Sequence, residues 1–136
     1  MILGFTGTRY GMSNAQLGAF WRWLERDRDF TSLHHGDCVG ADLDAHNIAS
    51  AVGFHIAVHP PLDGTWQAHC EGDRYLPPQE YLKRNRAIVV ACDRLIATPR
   101  EAEEQEKGGT WYTVRFARRV GTPITIIWPD GTTTDE

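Results

Sequence analysis

Four short clusters hold most of the chemical possibility in this 136-residue sequence: Thr6-Gly7-Thr8-Arg9, Gly36-Asp37-Cys38-Val39-Gly40, Thr98-Pro99-Arg100 and Gly108-Gly109-Thr110. Glycines at a helix start leave backbone amides open to close approach, and a neighbouring hydroxyl or guanidinium adds a directed donor. That combination suits a phosphate. Gly108-Gly109-Thr110 fits it directly, and Gly7-Thr8-Arg9 adds an arginine able to fork onto an anion. Neither cluster ends in the Gly-Lys-Ser/Thr of a Walker loop, and no Gly-x-Gly-x-x-Gly fingerprint occurs. ATP hydrolysis and hydride transfer therefore lose support.

Other reactive side chains are less sharply patterned. Asp37 and Asp42 are the candidate catalytic carboxylates, while Asp42 and Asp44 together also read as a helix-start pair favoured by the dipole. Glu101, Glu103, Glu104 and Glu106 read as a solvated charged loop, with a lid as the functional alternative. His34 and His35 are neighbours on a strand and must face opposite sides, so they cannot share an ion. His55 with His59, and His69 with Cys70, lack the paired spacing of zinc sites, and no metal is expected. Cys38 lies where a helix start could lower its pKa, although a small buried residue is the simpler role. Of the five tryptophans, Trp21 fits a core stripe and Trp23 lies off it. Trp66 and Trp111 could stack on a base, and an exposed aromatic could equally make a subunit contact, which points to a homodimer or larger assembly.

Periodicity supplies the elements that must position these groups. Ile2 to Thr6 is a short apolar run, a buried first strand feeding the turn at Gly7. Ser13 and Gln16 have capping-box spacing ahead of Leu17, Phe20, Trp21 and Leu24, which predicts a helix from about Asn14 to Arg28. A strand over Phe30 to His35, a helix carrying Ala41, Ala45, Ile48, Ala49 and Val52, and a strand over Phe54 to Val58 follow. Leu62 to Pro78 reads as a long irregular loop. Gln79 to about Ala91 is a helix, Arg94 to Thr98 a strand, and a helix opened by Gly108 carries Val114, Ala117 and Val120 inward. Ile124 to Trp128 is the last strand, and 129–136 reads as a turn and frayed tail. The whole is an α/β class chain: a single Rossmann-like domain over 1–136, with a mainly parallel five-stranded sheet and helices on both faces. In such a sheet ligands bind beyond the carboxyl ends of the strands, where all four clusters fall.

Composition removes several classes. Fourteen Lys and Arg against eighteen Asp and Glu leave a net charge of −4, which disfavours a polyanion such as nucleic acid while still permitting a local anion site. The longest apolar stretch, Ala87 to Cys92, is far short of a membrane helix. Three widely spaced cysteines cannot form a complete disulfide framework, and a reducing cytoplasm is expected.

The ordered set Gly4-Phe5-Thr6-Gly7-Thr8-Arg9, His35-Gly36-Asp37 with Gly40-Ala41-Asp42, Arg84-Asn85, and Gly108-Gly109-Thr110 with Ala117 and Pro123 resembles the SLOG superfamily of Rossmann-like proteins. That group includes the Lonely Guy phosphoribohydrolases and the DNA-processing protein A fold. The resemblance spans about residues 2 to 128. It implies a pocket for a nucleotide or nucleotide-derived small molecule, with Gly7, Thr8, Arg9, Gly36, Gly108, Gly109 and Thr110 on the phosphate side. Asp37, Asp42 and Asn85 would line the base or sugar side, and Gly40 and Arg84 complete the ligand-binding set.

One departure bears on activity. In the Lonely Guy enzymes a glutamate closely follows the glycine motif, whereas here Trp111-Tyr112-Thr113-Val114-Arg115 follows and the next carboxylate is Asp130. Cleavage of an N-glycosidic bond builds positive charge on the sugar, which a carboxylate stabilises. The expectation is therefore a binding module without a resident cofactor: a sensor, carrier or sequestering protein. Nucleotide N-glycosidic hydrolysis or transfer through Asp37, Asp42 or a lid glutamate is the first alternative, and single-stranded DNA binding the second.

Overall fold

The computed structural model describes every residue, Met1–Glu136. In chain order the elements are β1 (Ile2–Gly7), α1 (Asn14–Arg26), β2 (Ser32–His35), α2 (Ala41–Val52), β3 (His55–Val58), β4 (Arg74–Tyr75), α3 (Tyr81–Ala91), β5 (Arg94–Thr98), α4 (Gly109–Val120), β6 (Ile124–Ile127) and β7 (Thr133–Asp135). Leu3, Gly4, Phe5 and Thr6 are all buried, the pattern of a central strand covered on both faces. All seven strands form one sheet in the order β4-β3-β2-β1-β5-β6-β7, parallel except for β7. The chain builds outward from β1 through β2, β3 and β4, then crosses to β5 on its other side. The carboxyl ends of β1 and β5 therefore flank the point where strand order reverses.

Side-chain alternation divides the interior into two apolar layers. Phe5, Leu33, Ile56 and Ile96 pack with Phe20, Trp23 and Leu24 of α1 and with Ala41, Ala45 and Ala49 of α2. Leu95, Ala97, Ile124 and Ile126 meet Val89 of α3 and Trp111, Val114 and Ala117 of α4. The alanine stripe of α2 and Gly4 let the helices come close: a Cβ on Gly4 would sit 2.7 Å from Cys92 Sγ.

Several expectations need correction. The sheet has seven strands rather than five, because the long loop contributes β4 and the supposed tail contributes β7 against β6. Within α1 the buried stripe is Ala19, Phe20, Trp23 and Leu24, so Trp23 is core and Trp21 is partly exposed. Val120 is half exposed, and Trp111, only 2% exposed, fills the inner face of α4 in its place. The predicted capping box is present: Ser13 Oγ accepts from the Gln16 amide at 3.0 Å, and Gln16 Oε1 accepts from the Ser13 amide at 2.9 Å. Gln16 Nε2 also donates to the carbonyls of Pro99 and Ile127, fastening α1 to the ends of β5 and β6.

Candidate functional site

A cleft of about 650 Å³ opens beyond the carboxyl ends of β1 and β5. Its size is that of a small-molecule site. One wall is the turn after β1, Gly7 to Tyr10; the opposite wall is Arg100, Glu101 and Lys107 to Trp111. Gly36, Cys38 and Asp42 come from the β2–α2 junction, Tyr81, Arg84 and Asn85 from α3, and Pro61 to Asp63 with Trp66 from the loop after β3. Ten of the twelve expected ligand-side residues thus share one cleft. Asp37 and Gly40 lie outside its lining and act from behind.

Gly40 explains the close approach of two loops. Its φ is +89°, and a Cβ there would run into the backbone of Arg9. The Ala41 amide donates to the Thr8 carbonyl at 2.9 Å, completing the clasp. Asp37, 1% exposed and also at positive φ (58°), ties down the loop after β3. Its Oδ1 accepts from the Cys70 amide at 2.8 Å and its Oδ2 from Gln67 Nε2 at 3.0 Å. The carboxylate expected at the base or sugar is consumed by structure.

Asp42 and Arg84 form the floor. Asp42 Oδ2 accepts from the amides of Gly36 (3.2 Å) and Cys38 (3.1 Å). Burial pushes its carboxyl up to about 6, against the opposing pull of Arg84 and those amides. Arg84 is 3% exposed and donates through Nη1 to the carbonyls of Gly36 and His59 and through Nε to Asn85 Oδ1. Thr98 Oγ1 is the one fully buried side-chain polar atom without a partner. Asp42 Oδ1 and Arg84 Nη2 make no hydrogen bond within the protein, and both residues line the cleft. Cys38 is no activated thiolate: burial, with Asp42 beside it, raises its thiol to about 11.

The rim is cationic and aromatic. Arg9 lies over the Trp66 ring at 4.5 Å and also faces Tyr10 at 5.5 Å, while Arg100 covers Tyr10 at 4.1 Å. These contacts stack Trp66, Arg9, Tyr10 and Arg100 into one column across three loops. The ion pairs of the chain are made by Arg115 and Arg118 on α4, which leaves Arg9, Arg100 and Lys107 without carboxylate partners. Gly109 opens α4 beneath Tyr81, whose phenol occupies the space a Cβ would need. Tyr81, Glu80 and Lys107 were not foreseen. Their only signal in the sequence is adjacency: Glu80 and Tyr81 start α3 one turn before Arg84-Asn85, and Lys107 directly precedes Gly108.

Two histidine pairs flank the carboxyl end of β2, one on each face. His34 and His35 face opposite sides, as strand geometry requires, and each meets another histidine: His34 Nδ1 lies 2.8 Å from His59 Nε2, and His35 Nε2 lies 2.9 Å from His46 Nδ1. The Asp37 amide donates to His35 Nδ1 at 2.9 Å, so the neutral ring carries its proton on Nε2 and donates to His46. Burial lowers His35 to about 3 and His59 to about 4. Donor atoms of His35, His46 and Cys70 lie within 4.8 Å of one another, a spacing that could hold a metal. Their hydrogen bonds oppose that use: a metal on His35 Nε2 would move its proton to Nδ1, against the Asp37 N–H. The Cys70 thiol is moreover raised to about 12 by burial and by Asp37.

No family model matches the chain, and no curated protein matches it in sequence. Solved structures do match its architecture. The molybdenum cofactor binding protein of Rippkaea orientalis superposes with a TM-score of 0.71 at 17% identity, over 93% of this chain and 76% of that one. The structural-genomics target TM1055 gives 0.65 at 12% identity, over 90% and 71%. DNA processing protein A from Helicobacter pylori, described with a single-stranded DNA binding mode, gives 0.64 at 17% identity over 93% of this chain and 64% of its own length. No helix here is long and apolar enough to cross a membrane. With a parallel sheet that reverses order at β1 and helices on both faces, the chain has a Rossmann-like α/β fold, which it shares with these structures.

Proposed function

We propose that the cleft binds a nucleotide or nucleotide-derived small molecule and that the protein acts as a sensor, carrier or sequestering module. The observation that carries this reading is the collection of unpaired cations, Arg9, Arg100 and Lys107, around the Gly108-Gly109-Thr110 helix start in a cleft with aromatic walls. Free amides and guanidiniums hold a phosphate, and Trp66, at the end of the column, offers its other face to a planar base. The net charge of −4 supports a small ligand over a polymer such as nucleic acid. The test is mass spectrometry of ligand released on denaturing the purified protein, with a thermal-shift panel of nucleotides. Release of a nucleotide-like compound, or a shift with one nucleotide class, is expected; neither appearing would end the proposal.

Asp42 favours one second reading. A buried carboxyl raised to about 6, on a residue that lines the cleft with Arg84 and bonds the backbone through Oδ2 alone, has the character of a general acid for a departing base. Hydrolysis at a nucleotide N-glycosidic bond is that alternative. Chromatography after incubation with nucleoside monophosphates decides it: free base that vanishes in Asp42→Asn establishes turnover, and no free base leaves a binding protein.

A further inference from the structure

Glu101 stands apart from the acidic segment it begins. Glu104 turns outward to Arg115 (3.6 Å) and Arg118 (2.7 Å), pinning the loop to the outer side of α4. Glu101 turns inward to line the cleft, where its Oε1 accepts the indole N–H of Trp111 at 3.0 Å. Trp111 is buried in the α4 layer, so this carboxylate is held from a rigid anchor by a neutral donor. Oε2 makes no hydrogen bond or ion pair. Across the floor Arg84 likewise presents Nη2 unpartnered from a side chain that is 3% exposed, so the cleft is a set of donors and acceptors completed by something other than protein.

A free carboxylate in a cleft otherwise suited to anions has a definite consequence. Like charge keeps a phosphate away from Oε2 and directs it to Arg9, Arg100, Lys107 or the Gly109 end of α4. What Oε2 accepts is an uncharged donor on the part of the ligand between its phosphate and its base. A vicinal diol is the best match, since two adjacent hydroxyls can share one carboxylate and such charge-assisted bonds are the stronger kind. Acidic side chains read ribose hydroxyls in the same manner at other Rossmann-type sites.

We infer that Glu101 reads the ribose diol of the bound molecule, so that the cleft selects ribonucleotides over 2′-deoxyribonucleotides. The inference rests on the nucleotide reading above and adds the sugar class. It also runs against single-stranded DNA as the occupant, because a deoxyribose offers Oε2 no 2′ donor.

The test is calorimetric titration with the four ribonucleoside 5′-monophosphates and their four 2′-deoxy counterparts, on the wild-type chain and on Glu101→Gln. The glutamine keeps an acceptor for Trp111, and an unchanged melting temperature checks that the wall is intact. For the nucleotide that binds best, a preference of about tenfold for ribose is expected in the wild type. In Glu101→Gln that ratio falls to about twofold, mostly through loss of ribonucleotide affinity. Equal binding of the two sugars by the wild type, or a preference that survives in Glu101→Gln, overturns the assignment while leaving nucleotide binding standing. If none of the eight binds, the assignment of Glu101 to a ribose diol is overturned, and the nucleotide reading is decided separately by the released-ligand test.

Discussion

Two polar clusters at the carboxyl edge of the sheet treat their groups in opposite ways. Around β2, His34 pairs with His59 and His35 with His46, and Asp37 bonds through both carboxylate oxygens to the loop after β3. Beyond β1 and β5, Arg9, Arg100 and Lys107 have no carboxylate, and Asp42, Arg84 and Glu101 line the cleft, each with one polar atom that makes no hydrogen bond within the protein. Both regions are rich in titratable residues, so composition alone does not separate them. Saturation does. Where polar side chains are paired within the protein the cluster holds the fold; where cations and carboxylate oxygens line a walled space without such partners the cluster suits a ligand. Mutations should divide the same way, the first set lowering stability and the second lowering affinity.

The largest effect is expected from Asp37→Ala. It strands the buried Cys70 amide and releases Gln67, while a residue without a polar side chain must still occupy φ 58°. A loss of about 2–4 kcal/mol is expected, read as a lower urea midpoint with unchanged slope. The comparison would break if this variant kept its stability and lost only ligand affinity.

Acid probes the same cluster without mutation. The four paired histidines have lowered pKa values, His35 to about 3 and His59 to about 4, whereas the unfolded chain takes up those protons near 6.5. Between those limits the unfolded state binds more protons, so stability present above about pH 7 is lost as pH falls toward 4. Each strongly shifted histidine contributes up to about 1.4 kcal/mol per pH unit over that window. Asp42 acts in the opposite sense: raised to about 6, it is protonated in the folded chain before the unfolded one, which recovers stability between about pH 6 and 4. With four histidines against one carboxyl the net change is a loss. Urea midpoints at pH 7.5, 6 and 5 check it, and a midpoint rising toward pH 5 would show that the paired histidines take up protons freely.

The difference between these regions also sets what could be read from sequence. The strands β1, β5 and β6 and the helices α1 and α3 follow from apolar periodicity and caps, because burial on a regular element leaves a regular trace. The cleft edge followed from glycine and hydroxyl clusters at strand ends. The helix phase of α1 was less legible: Leu17, Phe20, Trp21, Leu24 and Ala19, Phe20, Trp23, Leu24 share two residues, and only the packing of Trp23 on Phe30 at 5.3 Å between ring centroids selects the second. The edge strands β4 and β7 hold exposed residues and take their order from neighbours, so no alternation announces them. Asp37 looked like a ligand group because a carboxylate after a strand has the same local sequence whether it meets substrate or a distant amide.

On the open side, Arg9→Ala removes a cation that is exposed and unpaired. A fall in nucleotide affinity of about tenfold is expected with the melting temperature almost unmoved, since no buried group loses a partner. A thermal scan and a titration on the same sample separate the two readouts. A large loss of stability with intact affinity would place Arg9 in the saturated class and undo the distinction drawn between the two regions.

Trp66→Ala carries the smallest effect and sharpens the comparison most. Trp66 is 52% exposed and touches the cleft through its stack on Arg9. An exposed cation–π contact is worth about 0.5–1 kcal/mol, so holding Arg9 in place accounts for a two- to fivefold change in affinity. If Trp66 also stacks on the base, the loss adds to that of Arg9→Ala and persists when both are replaced. If it only positions the guanidinium, the double variant binds no worse than Arg9→Ala alone. The two-residue cycle, read by titration with one ribonucleotide, thus distinguishes an aromatic that orients a cation from one that faces the ligand itself.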